Sequence, residues 1–298
     1  MIKRVVEISN QAHISVKDFQ LTIKNENWVF TIPLEDIGVI VLESSAITIS
    51  HRLLIEVAHK EITLLVCDER HHPVWLYHAL SWHTQSAKYL KEQVNVSPII
   101  QKKLWQLIIQ KKIYYQSQIL KKLWKEYLWI YNISHTVKSG DSDNREGYAA
   151  NLYWKELLWK NHTRKYENLI NTMLNYGYAL VRASIARWVV SSWLHPSLGI
   201  FHNNQFNAFN LVDDLIEPFR PLLDLRVYEI IENHMLDIEE QTLTPTIKRL
   251  LLEILTLDIY FDGKKLPINI AIEYYTSSFR DSLSNYKNFI IPQIFDEL

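Results

Sequence analysis

The hydrophobic period of this chain changes close to His71-His72-Pro73, and this change constrains the fold more than any other feature of the sequence. Before it come six short segments rich in Val, Ile, Thr and aromatic residues, divided by polar turns: RVVEIS, HISVK, FQLTIK, WVFTIP, GVIVLE and ITLLVC. Such segments are typical of strands. Beyond it, apolar residues recur mainly at helical spacing. The sequence therefore predicts an α+β protein, with a small β-rich N-terminal domain (1–75) followed by a larger all-helical C-terminal domain (76–298).

Capping residues locate several helices. Ser50 can cap a helix over HRLLIEVAHK within the β-rich part, and Thr244 with Pro245 can start another over TPTIKRLLLEIL. Between them, amphipathic patterns predict helices over about 98–131, 145–160, 167–193 and from 209 into the 230s. Leu107 and Leu128 break the first of these patterns, so it can comprise two helices. Loops are expected over 135–144 and 195–207.

Scarce glycine and cysteine exclude several kinds of site. The chain has 298 residues with six Gly and one Cys. No two of the glycines are close enough for a phosphate-binding loop, so neither nucleotide fingerprint fits. A single cysteine, Cys67, excludes an internal disulfide and a multi-cysteine metal site, and it is consistent with a reducing compartment. The N-terminus is no signal peptide and no apolar run approaches 18 residues, so we expect a cytoplasmic protein with no membrane span.

The formal net charge of −1 hides charge segregation along the chain. Residues 88–126 contain nine Lys and two Glu, a net of +7, whereas residues 210–262 contain 4 basic and 12 acidic residues, a net of −8. Four lysines fall within a sector of roughly 80° on the predicted helix: Lys103, Lys111, Lys121 and Lys125. This stripe is either a solvated face or a track for nucleic-acid phosphates, and the spacing leaves both open.

A cluster of acidic residues suggests a metal site. Asp213 and Asp214 precede Glu217 by four and three residues, which places a pair of carboxylates on one helical face. His202 lies in the preceding loop, and Glu146 opens the helix EGYAANLYW. Two carboxylates and an imidazole suit Mg²⁺ or Mn²⁺. Scattered surface charges would give the same pattern, so spacing alone does not decide.

Three motifs together resemble the CRISPR-associated integrase of spacer acquisition, most closely its type II subgroup. The run SLGIFHNNQFNAFNLVDDLIEPFRPLLD is similar to the signature in which a loop histidine precedes a D-L-M-E-P-F-R-P helix. NREGYAANLYW resembles the first-glutamate motif of that family, and LNYGYALVRASIAR its intervening helix. The resemblance extends in layout over the whole chain, since the family also has a short β-rich domain before a longer helical one.

The resemblance implies a metal-dependent DNA endonuclease and integrase. Glu146, His202 and Glu217 correspond to catalytic residues that bind Mg²⁺ or Mn²⁺. Asp214, together with Asp213, corresponds to acidic residues that support this metal site. The implied reaction joins the 3′-hydroxyl ends of a prespacer duplex to the repeat DNA of a CRISPR array by transesterification. Candidate DNA contacts are the four lysines of the stripe together with Arg182 and Arg187.

The resemblance also implies partners, and the sequence departs from the family at some positions. Family members form homodimers, and in this chain the N-terminal sheet is the expected dimer element. A small ferredoxin-fold companion protein bridges such dimers in a larger complex. This chain has Phe201 where a second histidine is frequent, Asn203 where a basic residue is frequent, and Asn151 where Arg or Lys is frequent. Two alternatives remain open: a non-catalytic DNA-binding scaffold, and a general metal-dependent nuclease acting on branched DNA.

Overall fold

The computed structural model describes residues 4–60, 62–68, 73–77, 86–158, 168–234 and 243–295. Contacts divide the chain into two compact units, Met1–Ala87 and Lys88–Leu298. The predicted boundary between residues 75 and 76 lies upstream of this division. The described residues of the first unit form strands and the helix that follows Ser50, and those of the second are mostly helical. This arrangement confirms the predicted α+β class.

The N-terminal unit contains two sheets. Its strands are β1 (Arg4–Ile8), β2 (His13–Lys17), β3 (Gln20–Lys24), β4 (Val29–Pro33), β5 (Ile37–Leu42), β6 (Thr48–Ile49), β7 (Thr63–Cys67) and β8 (Pro73–Tyr77). One sheet has the order β1-β5-β7-β8 and the other β4-β3-β2-β6. The six predicted strand segments are confirmed as β1 to β5 and β7. Strands β6 and β8 were not predicted, since β6 is two residues long and β8 follows the change of period.

Helix α1 (His51–His59) packs against these sheets. The hydroxyl of Ser50 accepts a hydrogen bond from the backbone N–H of Leu53, which confirms the predicted cap. Leu53 and Val57 are fully buried in the core of the unit, together with Ile14 and Leu21 from the sheet. Cys67 is a buried thiol outside any disulfide at the end of β7, as expected of a structural cysteine.

The second unit is built around one long helix. Its helices are α2 (Ser86–Val94), α3 (Pro98–Lys122), α4 (Leu128–Ser134), α5 (Arg145–Leu157), α6 (Leu169–Ser191), α7 (Asn210–Leu215), α8 (Arg220–His234), α9 (Pro245–Leu252) and α10 (Ile268–Ser282). The long predicted pattern is indeed two helices, and the second begins at Leu128. Thr244 caps α9 with Pro245 in its first turn, as predicted. Helix α3 packs against α4, α5, α7 and α8, so it forms much of the core of the unit.

The prediction of an all-helical C-terminal domain is wrong in one place. Strands β9 (Asp258–Phe261) and β10 (Lys264–Pro267) form an antiparallel hairpin. Its two-residue turn is Asp262-Gly263, and both residues have positive φ, 49° and 73°. Asp-Gly is a strong hairpin signal because a two-residue turn of this type needs positive φ at both positions. The hairpin arises from this turn and not from the weak apolar alternation around it.

The helix predicted from residue 209 into the 230s is interrupted. Helix α7 ends at Leu215, and residues Glu217–Phe219 form a 3-10 turn before α8 begins at Arg220. Pro218 has no N–H for the carbonyl four residues earlier, so it cannot continue α7. Glu217 therefore lies in the 3-10 turn and not in α7, and the carboxylates of Asp213, Asp214 and Glu217 have different partners.

No helix among the described residues combines the length and the apolarity that crossing a membrane requires.

Candidate active site

Two glutamates from different elements meet at one lysine. Lys112 lies on the buried face of α3, and its Nζ is 2.5 Å from Oε1 of Glu146 and 2.5 Å from Oε2 of Glu217. Burial acts to lower the pKa of Lys112, but the two carboxylates outweigh it and hold the pKa above its ordinary value. The Glu146 side chain remains 26% exposed, whereas that of Glu217 is only 6% exposed. The pair is therefore open to solvent on the side of Glu146.

Glu146 is positioned by a tightly bonded turn at the start of α5. The buried carboxylate of Asp141 accepts hydrogen bonds from the backbone N–H groups of Arg145 and Glu146, at 2.8 and 3.1 Å. The side chain of Asn144, whose φ is 51°, accepts from the N–H of Gly147. These acceptors satisfy the free N–H groups of the first turn. Glu146 consequently projects from a fixed helix end and not from a loose loop.

Glu217 is held between two cations. The break at Pro218 places it in the 3-10 turn, where Oε1 accepts from Nε of Arg220 at 2.8 Å and Oε2 accepts from Lys112. Burial acts to raise the pKa of Glu217, but Lys112 and Arg220 hold it below its ordinary value. The guanidinium of Arg220 lies over the ring of Tyr178, 4.6 Å from its centroid. Glu217 is thus a fixed, ionised carboxylate.

His202 is oriented by a fully buried aspartate. Oδ1 of Asp214 is 2.7 Å from Nδ1 of His202 and also accepts from the His202 backbone N–H. Oδ2 of Asp214 accepts from the N–H groups of Ile200 and Phe201. A carboxylate oxygen can only accept, so Nδ1 carries the proton and Nε2 is left as the ring nitrogen for a ligand. The hydrogen bond to Asp214, more than partial burial, sets the direction of the His202 pKa, which is raised.

The loop before His202 is anchored at two further points. Gln93 on α2 donates to the carbonyls of His195 and Leu198, both at 3.0 Å, and accepts from the N–H of His195. At Gly199, a Cβ atom would lie 2.8 Å from Oδ2 of Asp214 and closer still to the carbonyl of His202. Only glycine permits this approach, so the loop can fold over the aspartate.

Phe201, which stands where a second histidine is frequent in the family, packs against α3. The ring of Phe201 stacks on Trp105 of α3, with centroids 4.2 Å apart and planes within 4° of parallel. The edge of Trp105 also meets the ring of His202 at 5.8 Å. Trp105 and Lys112 lie two helical turns apart on one face of α3, and helical side chains lean towards the N-terminus. One face of α3 therefore contacts His202 and both glutamates.

The donor types fit a divalent cation, although the three ligands do not converge on one point. No group of three or more His, Cys, Asp or Glu side chains in the described part of the chain is arranged to hold a metal ion. The two carboxylates nevertheless converge on a single positive charge, that of Lys112, and His202 has its Nε2 free of the aspartate. Carboxylate and imidazole ligands suit Mg²⁺ and especially Mn²⁺. The ammonium of Lys112 is the cation that lies between the two glutamates in the structure.

Lys112 was missed in the sequence, although a signal was present. It follows Trp105, Ile108 and Ile109 by seven, four and three residues, so it falls within the apolar stripe of the helix. A lysine is almost never fully buried unless a partner neutralises it. A charged residue inside an apolar stripe is therefore a better indication of a site than the exposed lysines beside it.

Several predicted support and DNA contacts have other partners. The carboxylate of Asp213 binds Arg182 in two places and Asn207 in one, and its charge also helps to raise the pKa of His202. Lys125 lies beyond the end of α3 and donates to the carbonyls of Glu156 and Leu157 at the end of α5. Arg187 is only 6% exposed, which leaves a DNA phosphate no access. Arg182 and Lys125 thus hold helices together, and the phosphate contact predicted for Arg187 is not supported.

The remaining lysines of the stripe lie on α3. Lys121 is exposed, and Nζ of Lys103 donates a hydrogen bond to Oε1 of Gln106 at 3.2 Å. The ammonium of Lys111 lies over the rings of Tyr114 and Tyr115. Their role in binding DNA stays a prediction.

The chain is similar to proteins of one family over nearly its whole length. The family model described as "CRISPR associated protein Cas1" matches residues 6–254. The CRISPR-associated endonuclease Cas1 of Neisseria meningitidis serogroup C (strain 8013) is 38% identical over 301 residues, which cover 99% of this chain and 97% of that protein.

Solved structures resemble the chain in fold. A chain of a partial Cas6-RT-Cas1–Cas2 complex matches with a TM-score of 0.76 at 15% identity, covering 99% of each chain. A casposase bound to integration product matches with a TM-score of 0.67 at 18% identity, covering 96% of each. At such identities the likeness shows the fold alone.

Proposed function

Because this chain belongs to the Cas1 family, we propose that it is the endonuclease and integrase of CRISPR adaptation, which joins the 3′-hydroxyl ends of a prespacer to repeat DNA. The Neisseria relative is named an endonuclease, and a structural neighbour is bound to an integration product. A transesterification needs no covalent enzyme intermediate, in keeping with a buried Cys67 and no serine elbow in the sequence.

One observation carries this proposal: Glu146 and Glu217, from separate helical segments, face one positive charge next to a histidine that an aspartate orients. These are the residues that the family motifs assign as ligands. A non-catalytic scaffold would have no need to keep two carboxylates facing each other, since like charges repel unless a cation offsets them.

The protein's own residues prepare the site for a cation. Glu146 and Glu217 would each supply a carboxylate oxygen, and His202 would supply Nε2 while Asp214 keeps the proton on Nδ1. Bound Mg²⁺ or Mn²⁺ would supply a Lewis acid that orients the 3′-hydroxyl and stabilises charge on the attacked phosphate. Arg220 keeps Glu217 fixed and ionised throughout.

Partners of this activity follow from the same family. We propose that the chain acts in the cytoplasm on prespacer and repeat DNA, as a homodimer joined through its N-terminal unit. The edge strand β4 presents Val29 and Phe30 to solvent, 59% and 55% exposed, beside Trp28. An exposed apolar edge of this kind is typical of a protein interface. The Cas1–Cas2 complex among the neighbours favours a small Cas2-type companion.

Integration of a 3′-hydroxyl duplex into a repeat-bearing plasmid tests the proposal, with companion protein and Mn²⁺ present. Glu146→Ala is expected to abolish strand joining while DNA binding persists. The matched control is Glu156→Ala, which removes an exposed glutamate from the other end of the same helix and should integrate normally. If Glu146→Ala joins strands as well as wild type does, the assignment is wrong. If the wild type binds DNA but neither cuts nor joins it, the scaffold alternative is favoured.

A further inference from the structure

Lys112 stands where a cation between the two glutamates would have to stand. Its Nζ is 2.5 Å from one oxygen of each carboxylate, and the side chain is 10% exposed. A Mg²⁺ ion would lie about 2.1 Å from the oxygens that bind it. An ion bound to the same two oxygens would thus fill the volume of the ammonium. The two cations therefore exclude each other, sterically and by charge.

The lysine also has the means to leave. Its ammonium sits on a flexible four-carbon stem with several rotatable bonds, unlike the planar fork of an arginine. Arg220 does not compete for this place, because it binds the other oxygen of Glu217. When the ammonium withdraws, Glu217 keeps one partner and Glu146 remains the more exposed carboxylate of the two. The space between the two carboxylates is then open to a divalent ion.

We propose that Lys112 is the resident counter-cation of this site: its ammonium holds the Glu146 and Glu217 carboxylates together before a divalent ion binds, and the ion takes its place by displacing it. The inference rests on the metal-dependent function proposed above. Lys112 is on this account a positioning residue, which acts through the carboxylates and not on the DNA. It also explains why the described residues form no three-ligand group although the donor types fit.

If a divalent ion displaces the ammonium, removing Lys112 should have opposite effects on two quantities. It should lower the stability without metal and raise the affinity for Mn²⁺. Lys112→Met keeps the length of the stem but leaves two facing carboxylates unpaired, so the variant should melt at a lower temperature than wild type without metal. Because no ammonium has to be displaced, Mn²⁺ should bind the variant more tightly, by at least about fivefold. The rise in melting temperature on adding Mn²⁺ should also be larger. A lysine with only a structural role would weaken metal binding when removed.

The experiment compares melting temperature and Mn²⁺ affinity, by calorimetric titration, for the full-length wild type and variants. Lys112→Gln, which keeps hydrogen-bond donors without the charge, serves if Lys112→Met does not fold without metal. Lys121→Met is the matched control on the exposed face of the same helix and should match wild type. Equal or weaker Mn²⁺ binding by the Lys112 variants would overturn the inference. A wild type that Mn²⁺ neither binds nor stabilises would instead overturn the metal-dependent function.

Discussion

Oδ1 of the fully buried Asp214 accepts a hydrogen bond from Nδ1 of His202, 2.7 Å away. The same carboxylate binds three consecutive backbone N–H groups, those of Ile200, Phe201 and His202. Orientation of the histidine ring and shape of the loop are therefore set by one residue on α7. The ring of His202 is therefore held in one orientation although it lies on a partly exposed loop.

Asp214→Asn should weaken Mn²⁺ binding by about 10–100-fold, the usual cost of removing a partner that orients a ligand. The amide of asparagine must place its NH₂ group against either the loop N–H groups or the His202 ring. The measurement is calorimetric titration with Mn²⁺. Asp213→Asn, one residue away and bound to Arg182 instead, is the control and should keep its Mn²⁺ affinity. Unchanged affinity in Asp214→Asn would contradict the role given to the Asp214–His202 pair.

Gly199→Ala should disturb both stability and metal binding, because its Cβ would lie 2.8 Å from Oδ2 of Asp214. We expect a loss of about 1–3 kcal/mol in the free energy of unfolding. Gly263→Ala is the comparison: its Cβ meets nothing within 4 Å, but φ is 73°, so it should lose about 1–2 kcal/mol from backbone strain alone. Urea unfolding and Mn²⁺ titration separate the two, since only Gly199→Ala should change metal affinity.

Lys111→Ala combined with Lys121→Ala should weaken DNA binding and flatten its salt dependence. If both lysines contact phosphates, the slope of log affinity against log salt should fall by about 1.8, at roughly 0.9 per contact. Fluorescence anisotropy over a salt series measures this slope. Lys264→Ala with Lys265→Ala removes two charges from the C-terminal hairpin as the control. A slope that stays as in wild type would assign Lys111 and Lys121 to a solvated face.

Asp213→Asn should be less stable than wild type at pH 7 and equally stable in acid. Partial burial acts to raise the pKa of Asp213, but the hydrogen bonds from Arg182 and Asn207 hold it below its ordinary value of 3.8. Because the pKa is lowered in the folded state, the carboxylate stabilises the protein fully above pH 3.8. That stabilisation is lost as the pH falls through the lower folded-state value. Urea unfolding of wild type and Asp213→Asn from pH 7 downwards should show that the difference in their free energies of unfolding shrinks only in that acidic range.

Much of the fold could be predicted because the local pattern decides it. Alternation and β-branched residues indicated β1 to β5 and β7, and side-chain caps located the starts of α1 and α9. The elements missed depend on something other than periodicity. Strand β6 is a short parallel addition to β2, and β9–β10 depends on positive φ at Asp262 and Gly263.

The sequence predicted Glu146, His202 and Glu217 as site residues but not the way in which the structure arranges them. Resemblance to family motifs pointed to Glu146, His202 and Glu217, but spacing suggested one continuous helix, which Pro218 interrupts. The charge of Arg187 suggested a DNA contact, whereas the structure buries it. Lys112 could not be paired with two glutamates, 34 and 105 residues away, from helical spacing alone. Long-range pairing depends on how α3 packs, which no local pattern records.

Helix α3 makes the site sensitive to chain length. Deleting one residue between Trp105 and Lys112 would turn the rest of the helix by about 100° and draw it back by about 1.5 Å. Lys112 would then leave both carboxylates while Trp105 stayed with His202. The seven-residue spacing between Trp105 and Lys112 therefore sets the distance along α3 between the contact with His202 and the contact with the two glutamates.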